Sequence, residues 1–167
     1  TGEVMGSDTS PERAYLKARL ATEIPVATSG GAYLTVRDED KQKLVPLARK
    51  LENMGFQLFA TPGTSDILRK NSVNVSTAYR INESGHPDAL DLMHQGKIQF
   101  IINVPTISGG AVRDGNIMRR LAVEMNIPFV TTISGAKMEV AAISEARKGG
   151  LMPIKLKVNY STFKSEN

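Results

Sequence analysis

Short apolar runs and segments of helical periodicity exchange regularly from about residue 32 to residue 148, and this pattern restricts the chain more than any other feature. The apolar runs predict strands over 32–37, 57–60, 100–103 and 129–132, with a weaker one over 75–81. Asp38 precedes Leu44, Leu47, Ala48 and Leu51, which share one face of a helix. A second helix is expected to open at Thr64, and others over 87–95 and 116–125. Ser134 is the expected cap of a last helix over 136–148, which Gly149-Gly150 ends. Upstream, Ser10-Pro11-Glu12 offers an N-cap, a first-turn proline and an early acid, so a helix runs from there to about Ala21. Thr28-Ser29-Gly30-Gly31 forms a break after it, and an edge strand is expected near 154–158. Strands joined by helical crossovers pair in parallel, so the pattern predicts an α/β fold with helices on both faces of one sheet.

Composition agrees with that architecture and narrows the function. Hydrophobic residues make up 41% of the 167 positions but aromatics only 5%, so small and branched aliphatics must fill the core of a single domain. The surplus of +4 charges and the sequence pI of about 9.4 are modest, and Lys and Arg are spread along the sequence. A basic stripe interleaved with aromatics is absent, so an anionic small molecule is expected as partner rather than nucleic acid. Without cysteine there is no disulfide, thiolate metal site or thiol nucleophile, and two histidines are too few for a His-rich metal centre. No apolar run is long enough for a membrane helix and no signal peptide opens the sequence, which points to a cytoplasmic protein. The start at Thr1 suggests a piece of something longer.

The segment Ala60-Thr61-Pro62-Gly63-Thr64 joins a strand to a helix start. A helix start presents free amides and a positive dipole end, and Thr61 and Thr64 can add two hydroxyl donors beside Gly63. Threonine capping of an ordinary turn explains the same residues without a ligand. Ligands of open parallel sheets bind beyond the carboxyl ends of the strands, and the other polar groups expected there agree. Arg37, Asp38 and Lys41 follow the first strand, Arg80 closes the third, and Asn103 closes the fourth with Thr106 and Ser108 behind it. Asp114 opens the next helix and Thr131-Thr132 close the fifth strand. Lys41 and Arg80 would bring positive charge, the threonines and Asn103 neutral donors, and Asp114 an acceptor for a sugar or base. His86 reads as a loop or capping residue and His94 as a helix-end residue. No nucleophile–base pair or metal spacing is found, so no catalytic or metal-binding residue is assigned.

These residues carry a resemblance. Thr1-Gly2-Glu3-Val4-Met5-Gly6 is similar to the junction ahead of the C-terminal domain in the large subunit of carbamoyl phosphate synthases. The rest resembles that regulatory domain, of the methylglyoxal-synthase-like group, through Thr35–Lys41, the Thr61–Thr64 turn, Ile101-Ile102-Asn103, Arg113-Asp114-Gly115 and Arg119-Arg120. The resemblance implies a three-layer Rossmann-like sandwich with a five-stranded parallel sheet. It implies a lead-in segment and helix over 1–29 belonging with the preceding ATP-grasp half, a regulatory domain over 30–158 and a polar tail over 159–167.

Function follows from the same resemblance as an expectation. The domain would bind a nucleotide monophosphate such as UMP or IMP and would not itself be an enzyme. Lys41, Thr61, Gly63, Thr64, Arg80, Asn103 and Thr106 would surround the effector phosphate. Asp114 and Ile117 would meet the base or ribose, and Thr131 would lie near the neighbouring domain. The domain would need no cofactor. The parent would use ATP with Mg or Mn to make carbamoyl phosphate for arginine or pyrimidine synthesis, with a small glutaminase subunit as partner, and the domain would self-associate. Three positions depart from the family pattern: Val104-Pro105 precede Thr106, Gly109-Gly110 stand where basic residues are common, and Arg80 replaces a frequent lysine. The alternative is a methylglyoxal synthase-type lyase that eliminates phosphate. Such enzymes carry a His-Asp pair where this sequence has Arg37-Asp38, and an aspartate where it has Ser84-Gly85-His86.

Overall fold

The computed structural model describes residues 3–81, 85–106 and 110–153, with the backbone alone at 110–112. Helix α1 (Pro11–Leu20) leads into β1 (Gly31–Val36), a 3-10 turn at Asp38–Asp40 and α2 (Lys41–Asn53). Then follow β2 (Gln57–Ala60), α3 (Pro62–Lys70), β3 (Ser76–Thr77), α4 (Ala89–His94) and β4 (Phe100–Val104). Helix α5 (Gly110–Glu124), β5 (Phe129–Val130) and α6 (Ile133–Lys148) complete the described order. The strands form one five-stranded sheet in the order β3-β2-β1-β4-β5, and every pair is parallel.

Strand alternation sorts the core onto two faces. Ala32, Leu34 and Val36 of β1, Leu58 of β2 and Phe100 and Ile102 of β4 pack with Leu44, Leu47 and Leu51 of α2 and Val140 and Ile143 of α6. Tyr33, Phe59 and Ile101 point the other way, against Leu92 and Met93 of α4 and Met118 and Ala122 of α5. The predicted α/β sandwich is therefore the observed fold. β1 and β4 lie side by side in register from Ala32↔Phe100 to Val36↔Val104, although β2 and β3 intervene in sequence. The fold builds outward from β1 to one edge and then returns to the other side, so the topological switch falls between β1 and β4. That is where an open parallel sheet leaves a crevice.

Several boundaries differ from those expected. β3 covers only Ser76–Thr77, because Tyr79 bridges to Asp88 instead of continuing along β2. α3 starts at Pro62, with Thr61 in the N-cap position. α4 starts at Ala89, where the Asp88 carboxylate accepts from Asp91 N at 2.8 Å and the Asp91 carboxylate accepts from Asp88 N at 3.0 Å. α5 starts at Gly110, well before Asn116. Thr132, not Ser134, caps α6: its hydroxyl accepts from Gly135 N at 3.0 Å, so β5 stops at Val130. Gly149 ends α6 with a positive φ of 69°, as expected of a glycine stop. The edge strand expected near 154–158 lies outside the described residues.

Helix α1 begins as predicted, Ser10 Oγ accepting from Arg13 N at 3.3 Å. It lies along α6 and buries Leu16 completely. Glu139 of α6, 1% exposed, accepts from Tyr15 Oη at 2.7 Å and from Arg19 Nε at 3.1 Å. Burial and the Glu139 carboxylate push the Tyr15 phenol well above its ordinary range. Below α1, Asp8 pairs with Lys17 at 2.6 Å and Arg13 at 3.2 Å, and the Lys17 ammonium holds its carboxyl well below the usual carboxylate range. Among the described residues no helix is long and apolar enough to cross a membrane.

Candidate functional site

A cavity of about 270 Å³ opens at the switch point, over the carboxyl ends of β1, β2 and β4. Eight of the ten residues singled out from sequence line it: Lys41, Thr61, Gly63, Thr64, Arg80, Asn103, Thr106 and Asp114. Ile117 does not; it sits on the outer face of α5, in a separate groove with Leu90, His94 and Arg113. Thr131 is exposed beyond β5 and lines neither space. Asp114 and Met118, one turn apart, share the side of α5 that lines the cavity, and Ile117 lies about 100° round the helix from Met118, on the side of the groove, so the packing of α5 decides which space it meets.

The wall is built from strand ends and helix starts. Thr61 and Thr64 are 5% and 1% exposed, and Thr61 Oγ1 donates to Thr64 Oγ1 at 3.2 Å. The amides of Thr64 and Ser65 reach the Thr61 carbonyl at 2.9 and 2.8 Å, which winds the first turn of α3. Pro62 has no N–H, so Gly63 supplies the first amide of that helix, and helix geometry offers it no partner within the helix. The glycine also admits a neighbour: a Cβ at Gly63 would lie 2.8 Å from Lys41 Nζ. The Lys41 ammonium therefore rests directly over the start of α3.

Charge on the β1 side is organised by two carboxylates. Asp40, 3% exposed, accepts from Arg37 Nε at 2.6 Å and from Lys43 Nζ at 2.8 Å, and these two cations hold its carboxyl below the usual carboxylate range, Lys43 first. Asp38 pairs with Lys41 at 2.6 Å, and Lys41 foremost, with Arg80 behind it, depresses its pKa. Asp38 and Arg37 stand out in the sequence after β1 without being assigned to the site; both line the cavity. So do Tyr33, Thr35 and Met118, which sequence alone does not single out because each fits ordinary strand or helix composition.

Asn103, 4% exposed, is the residue before the last of β4, opposite Thr35. Its Oδ1 is buried and has no hydrogen-bond partner among the described residues. A buried acceptor left unmade costs about 1–3 kcal/mol, so a group on a bound molecule is its natural complement. Gly115 gives the amide room, since a Cβ there would stand 3.1 Å from Asn103 Oδ1. The cavity thus offers cations and hydroxyl donors to an anion, and buried acceptors, Asn103 Oδ1 and the Asp114 carboxylate, to a hydroxyl or N–H.

The histidines stand apart from it. His86 Nδ1 lies 2.6 Å from Asp91 Oδ2, and that carboxylate raises the imidazole pKa. His94 ends α4. His86, Asp88 and Asp91 cluster closely enough to share a cation, but Asp88 and Asp91 cap the start of α4 and His86 is hydrogen-bonded to Asp91.

Comparison with known proteins gives a consistent result. Residues 43–131 match the family model described as MGS-like domain. The C-terminal section of the carbamoyl phosphate synthase large chain from Methanopyrus kandleri is 42% identical over 151 residues, which is 90% of this protein and 28% of that one. The corresponding section from Methanocaldococcus jannaschii is 41% identical over 152 residues, 90% of the present sequence and 24% of its own length. The carbamoyl phosphate synthase large chain of Methanosarcina acetivorans is 40% identical over 155 residues, 93% of the present sequence and 14% of its own. The protein thus spans only about 14–28% of the length of these relatives. Methylglyoxal synthase from Elizabethkingia anophelis shares the fold, with a TM-score of 0.54 at 18% identity over 69% of the present sequence and 79% of its own.

Proposed function

Because the protein belongs to the MGS-like domain family, we propose that it is the effector-binding regulatory domain of a carbamoyl phosphate synthase large subunit, and that the cavity holds a nucleotide monophosphate such as UMP or IMP. The observation that carries the reading is one cavity at the switch point combining the Lys41 ammonium, the Gly63 amide, buried Thr61 and Thr64, and an Asn103 Oδ1 without a partner among the described residues. The phosphate takes the cationic and hydroxyl side, where Arg80 and Thr106 also face it. A ribose or base donor takes Asn103 Oδ1 and Asp114. A cavity of about 270 Å³ suits a phosphosugar, with the base reaching towards solvent.

In this reading the segment over 1–29 couples the domain to preceding ATP-grasp domains, which carry out the ATP- and Mg- or Mn-dependent synthesis of carbamoyl phosphate in the cytoplasm with ammonia from a glutaminase subunit. The resemblance of the N-terminal segment and the identity to C-terminal sections of large subunits support it. Thr131, exposed beside α6, is then available to a neighbouring domain or a second copy.

Isothermal titration of this protein with UMP, IMP and inorganic phosphate tests the reading. Selective binding of one nucleotide, lost in Lys41→Ala and Thr64→Ala, is the expected result. A ligand at tenfold its Kd should also stabilise the fold by about 1.4 kcal/mol, visible as a thermal shift. No response to any of the three at millimolar concentration refutes it. Phosphate release from dihydroxyacetone phosphate, assayed in parallel, would instead favour the lyase.

A further inference from the structure

The cavity contains an anion of its own. Asp38 Oδ1 sits 2.6 Å from Lys41 Nζ, the same ammonium that rests over Gly63 at the start of α3. Arg80, which also lines the cavity, attracts this carboxylate too, and Lys41 foremost, with Arg80 behind it, lowers its pKa. Asp38 is therefore drawn to the two charged groups that an incoming phosphate would use.

Its surroundings make it displaceable. The Asp38 side chain is 92% exposed, so swinging it into water removes no packing. The turn beneath it is anchored independently. Arg37 N donates to Val104 O at 2.9 Å, Asp40 N donates to Arg37 O at 3.1 Å, and buried Asp40 pairs with Arg37 and Lys43. Asp38 can leave by side-chain rotation while the backbone and Lys41 stay where they are.

Building on the phosphate reading of this cavity, we infer that Asp38 is a built-in competitor: its carboxylate holds Lys41 until a ligand binds by displacing it. The consequence is selectivity by charge. A monoanionic carboxylate or phosphodiester brings to Lys41 no more charge than Asp38 already supplies, and must compete with a tethered group. A phosphomonoester dianion brings twice the charge and wins. Asp38 thus sets the threshold of ligand charge, and an exposed ion pair is strong enough to bias the site without closing it.

The test is titration of wild type, Asp38→Asn and Asp66→Asn with UMP, IMP and inorganic phosphate at low ionic strength. Asp66 is exposed on α3 and does not line the cavity, so its variant makes the same change in net charge from outside. The expected result is binding tightened about two- to fivefold in Asp38→Asn, the scale of one exposed ion pair, with Asp66→Asn near wild type. The gain should shrink in high salt. Equal or weaker binding in Asp38→Asn, or an equal gain in Asp66→Asn, overturns the competitor while leaving the phosphate site intact. A wild type that binds none of the three while Asp38→Asn binds would mean that Asp38 closes the site, which overturns a competitor that only biases it and the effector reading of the wild-type protein. Silence from both removes the competitor and the phosphate reading together.

Discussion

Glu139→Ala should release α1 from the domain before it unfolds the sheet. Glu139 is 1% exposed and accepts from Tyr15 Oη at 2.7 Å and from Arg19 Nε at 3.1 Å. Removing one partner of a buried ion pair costs about 3–5 kcal/mol, because the charge left behind keeps its desolvation penalty. Here that cost has a ceiling. Of the residues of α1 only Leu16 is fully buried, worth about 1.5–3 kcal/mol, and the others are half-buried or exposed. Arg19 and Tyr15 can regain water if α1 lifts off α6, so the loss is taken locally. Hydrogen exchange should then speed up in α1 by at least about 100-fold, the equivalent of roughly 3 kcal/mol. The amides of β1 and β4 should keep most of their protection, and a calorimetric scan should show only a small fall in Tm. Uniform loss of protection in α1 and β4 would mean that α1 and the sheet form one cooperative unit. Unchanged exchange in α1 would mean that Glu139 does not hold it. Either result refutes the reasoning.

Other positions make separate demands. Gly63→Ala should raise stability by about 0.5–1 kcal/mol through helix propensity, yet weaken phosphate binding, because the new methyl would stand 2.8 Å from Lys41 Nζ; thermal melts and titration read the two effects apart. Ile102→Ala, at a position with 0% exposure between β1 and β5, should cost about 2–5 kcal/mol in urea unfolding with the m-value unchanged. The Asp91 carboxylate raises the His86 pKa, so the stability lent by that pair is complete below the unfolded histidine pKa and is lost as pH rises through the folded one. The Tm difference between wild type and His86→Ala should therefore be larger at pH 5.5 than at pH 9, and a constant difference would refute the charged pair.

Local chemistry was enough for the parts of this protein that depend on near neighbours in sequence. Alternating and helical periods in the apolar residues marked the strands and helices, because burial on one face leaves that imprint wherever the element packs. Ser10-Pro11 and Gly149-Gly150 placed one helix start and one helix end through backbone constraints that act within a few residues. The Thr61–Thr64 turn, Lys41 and Asn103 could be assigned to one edge, since every parallel strand points its carboxyl end the same way.

Tertiary structure decided the rest. Ser134 and Thr132 are equally good caps by composition, and only the path of the backbone leaving β5 selects Thr132. β3 stops at Thr77 because Tyr79 finds Asp88, a partner no local pattern names. Ile117 leaves the cavity because the rotation of α5 is set by its packing on the sheet rather than by its own sequence. The pairing of β1 with β4 creates the crevice and leaves Asn103 Oδ1 without a donor among the described residues. Periodicity in a sequence encodes which face an element buries, but not which distant element covers it, and the site lies where those distant elements meet.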